Sequence, residues 1–171
     1  LLEVTNNVPV HKGDVFFIES GTLHAIGKGI LIAEIQQNSN TTYRIYDYGR
    51  VGKDGKPREL HVEKAKDVTN LVPPKYPTTA QGAPTAIEGG KETLLRSCEY
   101  FNVNKLELDG VTKLTAGEGS FNSLLVLDGT FEIASGSEKV SAKKGDSLFV
   151  GAGTGDYTIS GKGTIILTDI I

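Results

Sequence analysis

The residues with chemistry in them are concentrated between Lys12 and Arg50, in the run KGDVFFIESGTLHAIGKGILIAEIQQNSNTTYRIYDYGR. It holds a histidine, His24, then an apolar run carrying Glu34, Gln36 and Gln37, then a run carrying Arg44. Polar groups this dense on strands that should be half buried are costly unless they are paired or bind something. The stretch therefore reads as part of an active-site wall. An imidazole can ligate a metal, a carboxylate can accept hydroxyls or shuttle a proton, and a guanidinium stays charged and offers planar paired donors. Each has a plainer reading as well. His24 alone fits a hydrogen-bonded turn histidine, and Glu34 with Arg44 fits a cross-strand ion pair. Gln36 and Gln37 read as supporting residues, Tyr43, Tyr46 and Tyr48 as packing, and His11 and His61 as surface or structural. Arg50, Lys53, Lys56 and Arg58 make a basic hairpin tip offset by Asp54 and Glu59. No Gly-Lys pair is followed by Ser or Thr, and Gly27-Lys28-Gly29 lacks a third glycine, so the nucleotide-binding glycine loops are absent.

Positioning these side chains requires strands. Residues 15–18 read as a buried strand between Gly13-Asp14 and Ser20-Gly21, residues 30–37 as a second and residues 41–48 as a third. Residues 51–57 are a polar hairpin tip, and 59–71 is the best helix candidate, with Leu60, Ala65, Val68 and Leu71 forming a stripe. Four of the six prolines fall between 72 and 90, which rules out a regular helix or central strand there. Beyond it, short strands are expected at 100–108, 123–127, 130–134, 147–150, 157–160 and 164–167, with Asp128-Gly129 as a hairpin turn. The expected fold is mostly β: a tandem jelly-roll β-barrel or sandwich with a short helix and a Pro-rich linker.

Bulk numbers narrow the function classes. The net charge of −3 argues against a nonspecific nucleic-acid or anionic-membrane surface. The single cysteine, Cys98, excludes an internal disulfide and fits a reducing compartment. No apolar run approaches the roughly 20 residues that span a bilayer, so a cytoplasmic location is the expectation. The chain opens on Leu1 with no leader, from which an upstream segment, removed or lying outside these residues, is expected.

An internal repeat ties the two ends together. Residues 12–24 align with residues 144–156 at a constant offset of 132, and six of thirteen positions are identical. Asp156 stands where His24 stands in the first copy. The pattern resembles the second motif of the cupin family, whose jelly-roll barrel often holds a metal at that histidine. Here the second copy lacks it.

The run from His24 to Arg50, followed by RELHVEKA, resembles the type I, metal-dependent mannose-6-phosphate isomerases, in the short form of low-GC Gram-positive bacteria. The likeness covers essentially the whole chain, since the KGDSLFV pattern fits their C-terminal cupin. It implies that His24 is a zinc ligand, that Glu34 lines the sugar site, and that Arg44 is the essential cationic residue. It also implies three further zinc ligands and an active-site lysine upstream, in motifs that this sequence lacks. The expected division is 1–72, the remainder of the catalytic cupin; 73–92, a linker; and 93–171, a C-terminal cupin without a metal histidine. The implied activity is interconversion of mannose 6-phosphate and fructose 6-phosphate through an enediolate, by a longer enzyme of which this is the C-terminal part. That enzyme would hold one zinc per full-length chain, which this part alone does not retain. The implied partner is a sugar phosphate, with neither nucleic acid nor membrane; the basic tip reads as a solvated face, the alternative being that Arg50 lies near the phosphate. The competing reading is a non-catalytic bicupin that binds or senses sugar, its metal site incomplete.

Overall fold

A computed structural model describes residues 3 and 5–170. The chain divides into two compact units, Phe17–Tyr76 and a second made of Leu1–Phe16 with Pro77–Ile171. The second unit carries all seven strands: β1 (Thr85–Ile87), β2 (Gly90–Ser97), β3 (Phe101–Ala116), β4 (Asn122–Ser135), β5 (Glu138–Lys143), β6 (Ser147–Val150) and β7 (Gly155–Ile170). Every pairing is antiparallel, in the order β1-β2-β3-β7-β4-β5. β6 lies against the first part of β4 and β5 against the last. The fold class is the expected one: mostly β, with one short helix.

Side-chain parity explains the core. In β7, Tyr157, Ile159, Ile165 and Leu167 point inward on odd positions throughout. In β4 the inward residues are Leu124 and Val126, then Phe131 and Ile133. The parity flips because the ladder slips between Val126 and Asp128, where a bulge inserts one residue. Asp128-Gly129 is thus not the hairpin turn expected from the sequence. On the opposite edge of β4, between its pairings with β6 and β5, the turn joining those strands takes the backbone groups: Gly145 N–H donates to Val126 O, Val126 N–H to Asp146 O, and Lys144 N–H to Gly129 O.

Gly129, expected in a hairpin turn, lies inside a long strand, as do Gly110, Gly161 and Gly163. The two strands expected at 157–160 and 164–167 are one, β7, and those at 123–127 and 130–134 are one, β4. At Gly129, Gly161 and Gly163 the facing backbone comes so close that a Cβ would overlap the carbonyl oxygens of Lys162, Thr130 and Asp128 respectively. Only glycine allows β4 and β7 to bend against each other there.

Strands β1, β2 and β5 and the second half of β3 were not legible in the sequence. β1 and Gly90 fall within the stretch read as linker at 73–92. The proline-rich segment ahead of β1 is stitched to β2: Gln81 and Gly82 N–H donate to Leu95 and Leu94 O, and Ser97 N–H to Gln81 Oε1. It covers a sheet edge that three-residue β1 leaves open.

The repeat has a structural counterpart. In both copies the aspartate of the Lys-Gly-Asp turn reaches back three residues: Asp14 Oδ2 accepts from His11 N–H and Asp146 Oδ2 from Lys143 N–H, each at 2.8 Å. The second turns also match, with Thr22 N–H donating to Glu19 O and Thr154 N–H to Gly151 O.

In the first unit the helix is α1 (Val62–Val68), shorter than the 59–71 expected. The strands expected at 15–18, 30–37 and 41–48 are not formed; the backbone there is irregular among the described residues. Alternation gives a strand two faces but no partner, and a strand exists only in a ladder. The tip at 51–57 is formed, closed by a Val51–Pro57 bridge and by Gly52 N–H donating to Lys56 O at 2.7 Å.

Gly129→Ala should lower the melting temperature of the whole chain far more than Gly136→Ala. Both glycines have positive φ, but Gly136 faces open space and carries only the backbone strain of about 1–2 kcal/mol. Equal shifts in a thermal melt would remove the bend from the account.

Candidate functional site

The side chains singled out by sequence all lie in the unit Phe17–Tyr76, and the structure treats them unequally. His24 is exposed, with its Nδ1 donating to Thr22 O at 2.9 Å. That bond fixes the proton on Nδ1 and leaves the Nε2 lone pair facing outward, the arrangement in which an imidazole ligates a metal. Glu34 is exposed and has no hydrogen bond or ion pair among the described residues. Neither bond nor ion pair joins His24, Glu34 and Arg44 to one another among the described residues, so the cross-strand Glu34–Arg44 pair weighed from the sequence is not present.

Arg44 is the centre of a cluster. Its N–H donates to His61 Nδ1 at 3.2 Å, its O accepts from His61 N–H at 2.6 Å, and its Nη1 reaches Glu59 O at 3.5 Å. Its Nε is 3.9 Å from Asp47 Oδ1. Asp47 in turn is gripped by Arg58, whose Nε donates to Oδ2 at 2.7 Å while Nη2 takes Oδ1, a two-point fork. Arg50 lies over the Tyr48 ring at 5.2 Å, and the Tyr46 and Tyr48 rings meet edge to face at 4.9 Å. Three guanidinium groups therefore gather around one carboxylate.

A tight turn makes this possible. Arg50 N–H donates to Asp47 O at 3.0 Å, and the residues between, Tyr48 and Gly49, both have positive φ. This is the backbone of a type I′ turn. A tyrosine held there is strained by about 1–2 kcal/mol, a kind of strain that collects at functional sites. The sequence reading missed Asp47, Tyr48, Arg58 and His61 as members of the cluster. For Asp47 a local signal existed, the three-residue spacings to Arg44 and Arg50; Arg58 and His61 join through partners 11 and 17 residues away.

The Arg58 hydrogen bond holds the Asp47 carboxyl below its ordinary range. Burial opposes this, and the charges of Arg58, Arg44 and Arg50 reinforce it. The same bond pushes Arg58 up. In the second copy of the repeat, Asp156 is occupied otherwise: Lys113 Nζ lies 2.6 Å away and Thr115 Oγ1 donates at 2.7 Å, which lowers its carboxyl in the same manner. Asp156 is thus tied into a surface ion pair. The interior below it is filled by Tyr157, whose hydroxyl accepts from Asn122 Nδ2 at 2.8 Å.

No group of three His, Cys, Asp or Glu side chains able to hold a metal occurs among the described residues. His24 has the geometry of one ligand, and a single imidazole does not hold zinc firmly. The donor set among the described residues does not by itself fit a zinc site.

The bent antiparallel barrel of the second unit is a cupin fold, and its sequence assigns the kind. Residues 90–170 match the family model for the mannose-6-phosphate isomerase cupin domain. Over 168 residues the chain is 39% identical to mannose-6-phosphate isomerase ManA of Bacillus subtilis, covering 98% of this chain and 52% of that protein. It is also 39% identical to the mannose-6-phosphate isomerase of Streptococcus mutans, over 84% of this chain and 44% of that one. The crystal structure of the Bacillus subtilis mannose 6-phosphate isomerase superposes with a TM-score of 0.67 at 31% identity, covering 77% of this chain and 41% of that structure. Residues 90–170 belong to that cupin-domain family, and over nearly its whole length the chain is similar in sequence to mannose-6-phosphate isomerases. It spans about half the length of the curated relatives it matches.

Asp47→Asn tests the cluster by its acid dependence. A lowered folded-state pKa contributes stability that is present above the unfolded carboxylate value, about 3.9, and is lost as pH falls through the lower folded value. The gap in urea midpoint between wild type and Asp47→Asn should therefore close as the pH is lowered. A gap that is constant with pH would take the Asp47 charge out of the account.

Proposed function

We propose that this chain is the C-terminal portion of a mannose-6-phosphate isomerase, an aldose–ketose isomerase acting on a sugar phosphate. The observation that carries the reading is the 39% identity that runs over 98% of the chain. In this reading residues 1–72 are the remainder of the catalytic cupin, 73–92 the linker and 93–171 the second cupin. A cytoplasmic compartment is part of this reading. Among the described residues no helix is long and apolar enough to cross a membrane.

Moving a proton between adjacent carbons through an enediolate needs a base, an acid, and a fixed positive charge near the developing oxyanion. Arg44 suits the last role. It is half-buried, its backbone is pinned at both its N–H and its O, and among the described residues its guanidinium is tied by two long contacts. The same features suit holding the substrate phosphate, with Arg50 nearby. Glu34, unpaired, suits proton transfer or acceptance of a sugar hydroxyl. One zinc per full-length chain is proposed, with His24 as one ligand and the others outside these residues. The 171-residue chain alone should then have little or no activity.

A second reading, a non-catalytic bicupin that binds sugar, draws on one observation: no three metal-binding side chains come together among the described residues. A coupled assay on the full-length protein separates the two. The isomerase reading expects conversion of mannose 6-phosphate to fructose 6-phosphate, and a loss of about 10²–10³ in kcat on Arg44→Ala with an unchanged circular dichroism spectrum. Absence of turnover in the full-length protein would favour the sensor. Wild-type turnover in Arg44→Ala would remove Arg44 from the mechanism.

A further inference from the structure

Residues 44 and 61 face each other as a bonded pair does in an antiparallel ladder, where two residues exchange both N–H···O bonds. Only half of that exchange is made by backbone. His61 N–H donates to Arg44 O at 2.6 Å. The His61 carbonyl does not make the return bond; it is turned into α1, where it accepts from Ala65 N–H at 2.9 Å. The Arg44 amide would be left without an acceptor in a half-buried position. The His61 side chain takes the place of its own carbonyl: Nδ1 accepts from Arg44 N–H at 3.2 Å.

We propose that His61 is a positioning residue for Arg44. Its imidazole, carrying its proton on Nε2, completes the rung and so sets the direction in which the Arg44 guanidinium leaves the backbone. The ring is held from two further sides. Nε2 faces the Glu59 carboxylate at 3.7 Å, and the Tyr43 ring lies tilted against it at 6.1 Å. Glu59 contributes at the other end too, since its carbonyl oxygen receives Arg44 Nη1. The segment 59–61 therefore touches Arg44 at its amide, its carbonyl and its guanidinium. The chemistry asks for one acceptor at one place. Asparagine, whose Oδ1 occupies the position of Nδ1, satisfies it; leucine, of similar bulk, does not. The catalytic meaning of this role rests on the reading of Arg44 given under the proposed function.

The test has a readout that does not depend on that reading. In the isotopically labelled 171-residue chain, imidazole nitrogen correlations should show His61 Nδ1 unprotonated and Nε2 protonated. The Arg44 amide should exchange about tenfold faster in His61→Leu than in wild type, the order of one hydrogen bond, and His61→Asn should restore the slow exchange. In the full-length protein kcat should fall in His61→Leu and recover in His61→Asn. A proton on Nδ1 in wild type overturns the proposal even if a variant fails to fold. So does equally fast exchange in the Leu and Asn variants, or a fall in kcat with no change in exchange. An exchange pattern that follows the acceptor, alongside full turnover in Arg44→Ala, would uphold the positioning by His61 while removing Arg44 from catalysis.

Discussion

Backbone N–H and C=O groups must be paired, and this constraint governs both units of the chain. In the unit built on Pro77–Ile171 it is met by a ladder. β3 and β4 each lie against β7 along most of its length, and the edge of β4 between its β6 and β5 pairings is bonded by the β5–β6 turn. Glycines at 129, 161 and 163 let the long strands bend without breaking the ladder. The apolar side chains then alternate into one core, from Leu106 to Leu167. At roughly 1.5–3 kcal/mol for each large side chain fully buried, that core can hold the unit together without help from the surface ion pairs.

The unit Phe17–Tyr76 meets the same constraint locally. Residues 30–37 alternate as a half-buried strand should, yet Ile30, Leu31 and Ile32 are 39%, 91% and 46% exposed. Both faces are open, so neither is a core face among the described residues. What order there is comes from short-range bonds: the turn at 47–50, the fork from Arg58 to Asp47, and the rung between residues 44 and 61. These bonds gather three arginines and a strained tyrosine with no sheet beneath them. His24 and Glu34 share no hydrogen bond or ion pair with Arg44 among the described residues.

How much of this could be read from the sequence follows from the range of the interactions. Turn chemistry is local, so the Lys-Gly-Asp turns, the hairpin tip at 51–57 and β6 were legible. The helix was legible in place but too long, because Glu59 and His61 are engaged with Arg44 ahead of its first turn. Glycines were misread where their reason is tertiary: the close approach of β4 to β7 does not show in a single strand. The cluster around Arg44 was half legible. Arg44 stood out by type and setting. Asp47, Arg58 and His61 were hidden because each acts through a partner 11 to 17 residues away, and His61 was set aside as a structural residue.

The central claim is that the site is divided: this chain supplies one metal-binding imidazole and an arginine cluster, and the rest comes from outside these residues. Elemental analysis of the purified 171-residue chain tests it most directly. The account predicts much less than one zinc per chain after desalting. About one tightly held zinc per chain would mean that His24 finds its partners within these residues, and would contradict the account.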